Sequence, residues 1–159
     1  MKIRVGFGFD VHQLKEDHDF WLGGIKIEHH KGAVGHSDAD VMIHAICDAL
    51  LGAAGMRDIG FHFPDTSLKY KEIDSKILLA DVVKLLKEKH YSIGNVDVTL
   101  CLQSPKISPF VNAMKEALIT VMEIPHEDLS IKATTTEKLG YVGREAGVSA
   151  YAVALITTD

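Results

Sequence analysis

Apolar residues recur at every second position near the start of the chain: Ile3, Val5, Phe7 and Phe9 share one face of residues 2–11, the period of a β-strand. Gly23-Gly24 marks a turn, and Ile25 with Ile27 reads as a short strand beyond it. Over 38–54 the apolar residues run almost all the way round a helical wheel, as in a buried helix. A second helix is predicted over 72–89, where Ile77, Leu78, Val82, Leu85 and Leu86 return at helical spacing, and a third over 108–122. Residues 95–102, 131–134 and 148–157 complete the strands, while 55–68 collects Gly, Asp and Pro as a loop of functional length. Strands alternating with helices predict an α/β or α+β sandwich, one sheet covered by helices. No repeat, low-complexity tract or linker interrupts the pattern, so a single domain over 1–159 is expected.

On the buried first helix, Asp40, His44 and Asp48 fall at i, i+4 and i+8 and form one narrow stripe. Ionisable groups on an otherwise apolar helix are costly unless they face a site, which is the reading preferred here; the alternative is the wet edge of an amphipathic helix. Ser37-Asp38-Ala39-Asp40 has the form of a capping box with Ser37 as N-cap. At the end of the first strand, Asp10-Val11-His12 sets a carboxylate and an imidazole on one face, and His44 offers a third ligand from a second rigid element. Three ligands without cysteine describe a catalytic zinc site with an open position, manganese or another divalent ion being the alternative. His29, His30, His36 and His62 compete as ligands, whereas His18, His90 and His126 read as solvent-facing.

Further along, Thr134-Thr135-Thr136-Glu137-Lys138 follows a predicted strand and combines hydroxyls, backbone N–H groups and a carboxylate. That set suits phosphate oxygens with a hard cation on Glu137, although a strand end running into a helix cap has the same letters. Arg144 stands in a glycine-flanked segment where its fork could meet a phosphate. Asp58-Ile59-Gly60 and Phe63-Pro64-Asp65 bring carboxylates to the long loop, for a diol or for a turn. The 17 basic and 22 acidic side chains give a net charge of −5, which disfavours binding along a nucleic-acid backbone but leaves room for a phosphorylated ligand if a metal supplies local positive charge. Cys47 and Cys101, the only 2 cysteines, suggest buried thiols in a reducing compartment. Lacking an apolar signal segment after Met1-Lys2-Ile3-Arg4 and any run of about 20 apolar residues, the chain is expected to be cytoplasmic. P-loop, dinucleotide-fingerprint, zincin and nucleophile-elbow motifs are absent.

Longer stretches carry a resemblance. Gly8-Phe9-Asp10-Val11-His12, His36-Ser37-Asp38-Ala39-Asp40-Val41 with His44, Asp58-Ile59-Gly60, Phe63-Pro64-Asp65, Gly94-Asn95-Val96-Asp97, Pro105-Lys106 and Lys132-Ala133-Thr134-Thr135-Thr136-Glu137-Lys138-Leu139-Gly140 resemble, in order and over nearly the whole chain, the 2-C-methyl-D-erythritol 2,4-cyclodiphosphate synthase family of the non-mevalonate isoprenoid pathway. The resemblance implies a mostly antiparallel or mixed four-stranded sheet, helices on its outer side, and a homotrimer with sheets toward the three-fold axis and active sites between subunits. It implies zinc on Asp10, His12 and His44, and magnesium or manganese on Glu137. Ser37 and His36 would lie beside a substrate phosphate, Asp58, Ile59 and Gly60 at the methylerythritol, and Phe63 and Asp65 in the segment that closes the pocket. The Leu102–Ser108 loop, with Ser104, Pro105 and Lys106, would hold cytosine, and Thr134, Thr135 and Thr136 the phosphates. His36 and Thr135 would stabilise the transition state, while Tyr141 and Arg144 would line an isoprenoid cavity on the axis. The implied reaction is cyclisation of 4-diphosphocytidyl-2-C-methyl-D-erythritol 2-phosphate with loss of CMP. A metal-dependent phosphodiesterase and a non-catalytic trimer binding nucleotide or isoprenoid diphosphate are the other classes that fit the residues.

Overall fold

The computed structural model describes residues 1–158. Strand β1 (Lys2–Glu16) is followed by the short strands β2 (Phe20–Leu22), β3 (Ile25–Ile27) and β4 (Lys31–Val34). Helix α1 (Val41–Ala53), the single turn α2 (Ile59–His62) and helix α3 (Ser75–Glu88) come next. Strand β5 (Ser92–Cys101), helix α4 (Val111–Met122), strand β6 (Leu129–Thr134), the turn α5 (Gly140–Gly143) and strand β7 (Gly147–Thr158) complete the described chain. The main sheet has five strands in the order β4-β1-β7-β5-β6, not the four expected. All its pairings are antiparallel except β5 with β6. The fifth strand is Lys31–Val34, four residues whose Gly and Ala carry no apolar alternation, and it is recruited by pairing with the far end of the long β1. A separate hairpin joins β2 to β3 through Gly23 and Gly24, whose φ values of 60° and 81° are those a tight hairpin turn demands.

The apolar alternation of β1 faces away from the core of the chain. Ile3, Val5, Phe7, Phe9 and Val11 are exposed, as are Tyr151 and Val153 on β7. The opposite face of β1 carries Gly6 and Gly8, and α1 lies directly on it: a Cβ at Gly8 would stand 1.9 Å from the Ala45 carbonyl oxygen. Small residues therefore let the helix backbone approach the strand, with Ala45 and Ala49 on α1 and Ala150, Ala152 and Ala154 on β7 fully buried around the contact. This close approach sets His44 beside Asp10 and His12 of β1.

Helix boundaries differ from the sequence pattern where side chains claim backbone groups. The N-cap of α1 is Asp40, which accepts from Ile43 N–H at 3.1 Å; Ser37 instead accepts from Ala39 N–H in the preceding turn. Asp40 also accepts from Gly23 and Gly24 N–H at 3.0 and 2.7 Å, so one buried carboxylate caps the helix and fastens the hairpin. The helix predicted from residue 72 begins at Ser75, capped by Asp74 through Lys76 N–H. The one predicted from 108 opens as a 3-10 turn, Ser108–Phe110, before α4 begins.

Candidate active site

Three donors from two elements meet on the face of β1 that α1 covers; Asp10 and His12 stand inside the strand and not at its end, because pairing with β4 carries β1 on to Glu16. His12 Nε2 lies 2.9 Å and His44 Nδ1 3.0 Å from the same oxygen, Asp10 Oδ2, and the two ring nitrogens are 3.1 Å apart. Each ring is oriented from behind. His12 Nδ1 stands 3.0 Å from the Val34 carbonyl, which can only accept, so that nitrogen carries the proton. On the far side of His44, Nε2 lies 2.9 Å from Ser75 Oγ and 3.1 Å from Ser37 Oγ. Ser75 donates its own proton to Asp38 Oδ1 and so accepts from His44. With both rings neutral, the imidazoles turn lone pairs toward Asp10, the arrangement that a metal ion binds; a proton on a ring in its place makes the hydrogen bond to Asp10.

A metal ion fits that donor set. Arms of about 2.0–2.1 Å at tetrahedral angles separate ligand atoms by about 3.3–3.4 Å, close to the spacing here, and each ring already has the outer hydrogen bond that metal-bound histidines make. Electrostatics agree. Burial pushes the Asp10 carboxyl upward, but hydrogen bonds and attraction from His12 and His44 outweigh it and hold Asp10 well below the usual carboxylate range. His12 shows the reverse: burial lowers it, while Asp10 more than compensates and raises it above its ordinary value of 6.5.

The expected polar stripe of α1 is divided among three tasks. Only His44 faces the triad, since Asp40 points into the core at the hairpin. Asp48 accepts from Ile59 N–H at 2.7 Å and anchors the start of α2; burial, partly offset by that N–H, raises its pKa. Of the competing histidines, His36 donates from Nε2 to the Ser67 carbonyl and His62 to that of Met56. His29 and His30 gather with Glu145 elsewhere. His18, His90 and His126 are exposed.

A cavity of about 430 Å³ opens beside the triad, lined by His12, His36, Ser37, His44, Ile59, Gly60, Phe63 and Asp65, together with Gly35, Tyr70 and Leu78. Asp58 stays at its rim as the cap of α2, accepting from Phe61 N–H. A second cavity of about 210 Å³ is lined by Leu102, Pro105, Lys106, Ser108, Thr134 and Thr135, with Gln103, Ile107 and Ala133. Ser104 precedes Pro105 in the same loop. Glu137 is exposed just beyond, its backbone N–H held by Thr135 Oγ1 at 3.2 Å. The two cavities share no lining residue. Asp10 pairs with Ala150, Ala150 with Leu100 and Leu100 with Ala133, so they stand three strand spacings apart, about 14 Å. Buried Ala150 and Leu100 fill the row between them. Thr136 and Tyr141 line a third hollow with Cys101 and Tyr151, and Arg144 follows at the exposed end of α5.

Sequence reasoning missed Ser75 and Asp38, which orient His44, as well as Tyr70 and Leu78 in the wall of the first cavity, whereas Gln103 and Ile107 fall in the Leu102–Ser108 loop that it singled out. Asp38 was legible only as a member of an N-terminal cap, and Ser75 only as a helix residue.

A model of the YgbB family matches residues 3–157. The chain belongs to the YgbB family. Among relatives of this YgbB chain, a Parabacteroides distasonis protein named 2-C-methyl-D-erythritol 2,4-cyclodiphosphate synthase is 64% identical over 98% of this chain and 97% of its own length. A Bacteroides thetaiotaomicron protein of the same name is 62% identical over the whole of both chains. Among solved structures, the bifunctional IspDF from Campylobacter jejuni superimposes with a TM-score of 0.95 at 37% identity, covering 99% of this chain, which spans 43% of that protein. The CDP complex of IspF from Plasmodium falciparum gives a TM-score of 0.87 at 36% identity, covering 99% and 97% of the two chains.

Proposed function

We propose that this chain is a 2-C-methyl-D-erythritol 2,4-cyclodiphosphate synthase. It converts 4-diphosphocytidyl-2-C-methyl-D-erythritol 2-phosphate into the cyclic diphosphate and CMP by intramolecular phosphoryl transfer. The observation that carries the reading is the triad of Asp10, His12 and His44, its lone pairs turned inward, in a chain whose full-length relatives bear that name. A 2-phosphate oxygen attacks the β-phosphorus and a new P–O bond closes the ring. The bond from that phosphorus to the bridging oxygen breaks, and its electron pair leaves on CMP. A phosphate monoester is already largely dianionic above its second pKa of about 6, so no side-chain base is needed. Repulsion is the obstacle: two unit charges about 4 Å apart cost roughly 4 kcal/mol at an effective dielectric near 20. Zinc held by Asp10, His12 and His44, and magnesium or manganese at Glu137, would supply positive charge to those oxygens.

The chain's own residues do the positioning. Ile59, Gly60, Phe63 and Asp65 in the first cavity, with Asp58 at its rim, hold the methylerythritol, and Ser37 lies beside its phosphate. The loop of Leu102, Ser104, Pro105, Lys106 and Ser108 beside the second cavity holds the cytosine largely through backbone groups, while Thr134, Thr136 and Glu137 take the diphosphate. His36 and Thr135 are the catalytic donors to the transferring phosphoryl group. One substrate must reach both cavities although buried residues separate them on one chain, which favours a homotrimer whose active sites pair the first cavity of one subunit with the second of its neighbour. The exposed apolar face of β1 and β7 supports the same assembly, with the sheets toward the axis and Tyr141 and Arg144 lining a cavity there. The chain acts as one domain over 1–159, in keeping with its contiguous core, and in the cytoplasm, in keeping with its free Cys47 and Cys101. No described helix is long and apolar enough to cross a membrane.

Incubation with substrate and Mg²⁺ under ³¹P NMR tests the activity. Cyclic diphosphate appearing with stoichiometric CMP is the expected result. Inorganic phosphate or an open-chain monoester would replace the synthase by a hydrolase.

A further inference from the structure

Away from the triad, a second group of metal-ligating side chains converges where the sheet turns its edge. His29 and His30 lie between β3 and β4, and Glu145 follows α5, more than a hundred positions along the chain. One ligand atom from each lies within 4.8 Å of the others. Adjacent residues of a regular strand point to opposite faces, but here the chain bends at His30 and the two rings stand 4.3 Å apart, inclined at 61°. We propose that His29, His30 and Glu145 form a second transition-metal site, separate from that of Asp10, His12 and His44.

Several observations point to a ligand and not to mere packing. His29 Nε2 is buried and has no hydrogen-bond partner, and the ring stands with its centroid 6.1 Å from that of Phe20. A buried ring nitrogen left unpaired is unfavourable unless something binds it. No described cation pairs with the Glu145 carboxylate: Lys31, the near one, donates instead to the Glu145 backbone carbonyl at 3.1 Å. That bond fixes the loop and leaves the carboxylate free. Glu145 adopts φ 54°, a left-handed conformation held by its N–H to the Val142 carbonyl at 2.9 Å, which brings the side chain to the histidines. Drawing these atoms, all within 4.8 Å of one another, to the spacing of about 3.4 Å around a tetrahedral ion takes a rotamer adjustment of His30, which is exposed. Two imidazoles and one carboxylate select zinc or a related divalent ion such as Co²⁺ or Ni²⁺ over Mg²⁺ or Ca²⁺. Such an ion would clasp the start of β4 to the turn that precedes β7.

Because the donor set repeats that of the triad, the test must tell the two apart. Chelator-stripped protein is equilibrated with Zn²⁺ by dialysis and its bound metal counted, for the wild type and for His30→Ala, His44→Ala and the double variant. Two zinc ions per chain are expected for the wild type, one for each single variant and none for the double. In His44→Ala, Zn²⁺ should also shift the ring resonances of His29 and His30, a signal independent of catalysis. A wild type that saturates at one zinc overturns the proposal, and so does a second zinc that survives His30→Ala. Glu145→Gln keeps the shape of the side chain while removing its charge; it should weaken the second zinc at least tenfold, and unchanged affinity would also count against the site.

Discussion

His12 and Asp10 illustrate how one pair of side chains ties stability and metal binding to pH in opposite directions. Without a metal, the raised His12 pKa means that the pair stabilises the fold below the ordinary histidine value of 6.5, and that this contribution is lost as pH rises through the higher folded value. Asp10, held low, contributes down to acid pH and loses its contribution only when finally protonated. Zinc must displace the His12 proton, so its affinity climbs over the window in which the metal-free chain loses stability, by up to about tenfold per pH unit below the His12 pKa. Thermal melts of the stripped protein and zinc titrations across that window should show the opposite slopes, together with proton release on zinc addition. A zinc affinity independent of pH would mean that His12 is not a ligand. Ser75 acts one step back, accepting from His44 while its hydroxyl is committed to Asp38. Ser75→Ala removes that acceptor but leaves Ser37 within 3.1 Å, so zinc affinity should fall by about 10–100-fold without loss of the fold. Competition with a chromophoric chelator measures it.

At the level of elements, the decisive contact is helix α1 against strand β1. His44 reaches Asp10 because two glycines remove the side chains that would hold the helix off, a role that the sequence pattern of the strand conceals. Apolar periodicity draws the eye to Ile3, Val5, Phe7 and Phe9, and it identified the strand correctly but not which face the helix would cover. Gly8→Ala places a methyl carbon 1.9 Å from a backbone carbonyl, a clash that no rotamer relieves. The expected cost is about 1–3 kcal/mol or more of stability, with α1 displaced and zinc stoichiometry reduced. Urea denaturation and metal analysis read the two effects, and a variant that retains full zinc would show that α1 does not set the site. The capping pattern before α1 was misread for a related reason. Ser37 and Asp40 are both acceptable N-caps by chemistry, and the choice falls to Asp40 because the hairpin supplies two further N–H groups that only a carboxylate at that depth can satisfy.

For the whole molecule, the exposed aromatic and aliphatic face of the sheet and the separated cavities lead to one expectation. Placing a charge in that face, as in Phe7→Asp, should shift the protein from trimer to monomer in sedimentation velocity and abolish turnover, while the triad keeps its zinc because it lies on the other side of the sheet. A Phe7→Asp protein that stays trimeric and active would dissociate the face from assembly. What the sequence alone determined was the order of the three longer helices and the longer strands, the buried character of α1, and the meeting of an Asp-x-His on the first strand with a helical histidine. Each follows from a local period or from ligand chemistry carried by neighbouring residues. Only the tertiary structure decided that Lys31–Val34 becomes a fifth strand, that the apolar face of β1 looks outward, that Asp40 leaves the polar stripe for the hairpin, and that Ser75 and Asp38 stand behind His44. The physical reason is common to all four. Each depends on which distant backbone or side-chain group arrives to satisfy a polar atom or cover a surface, and that is set by packing across the chain, not by any period within it.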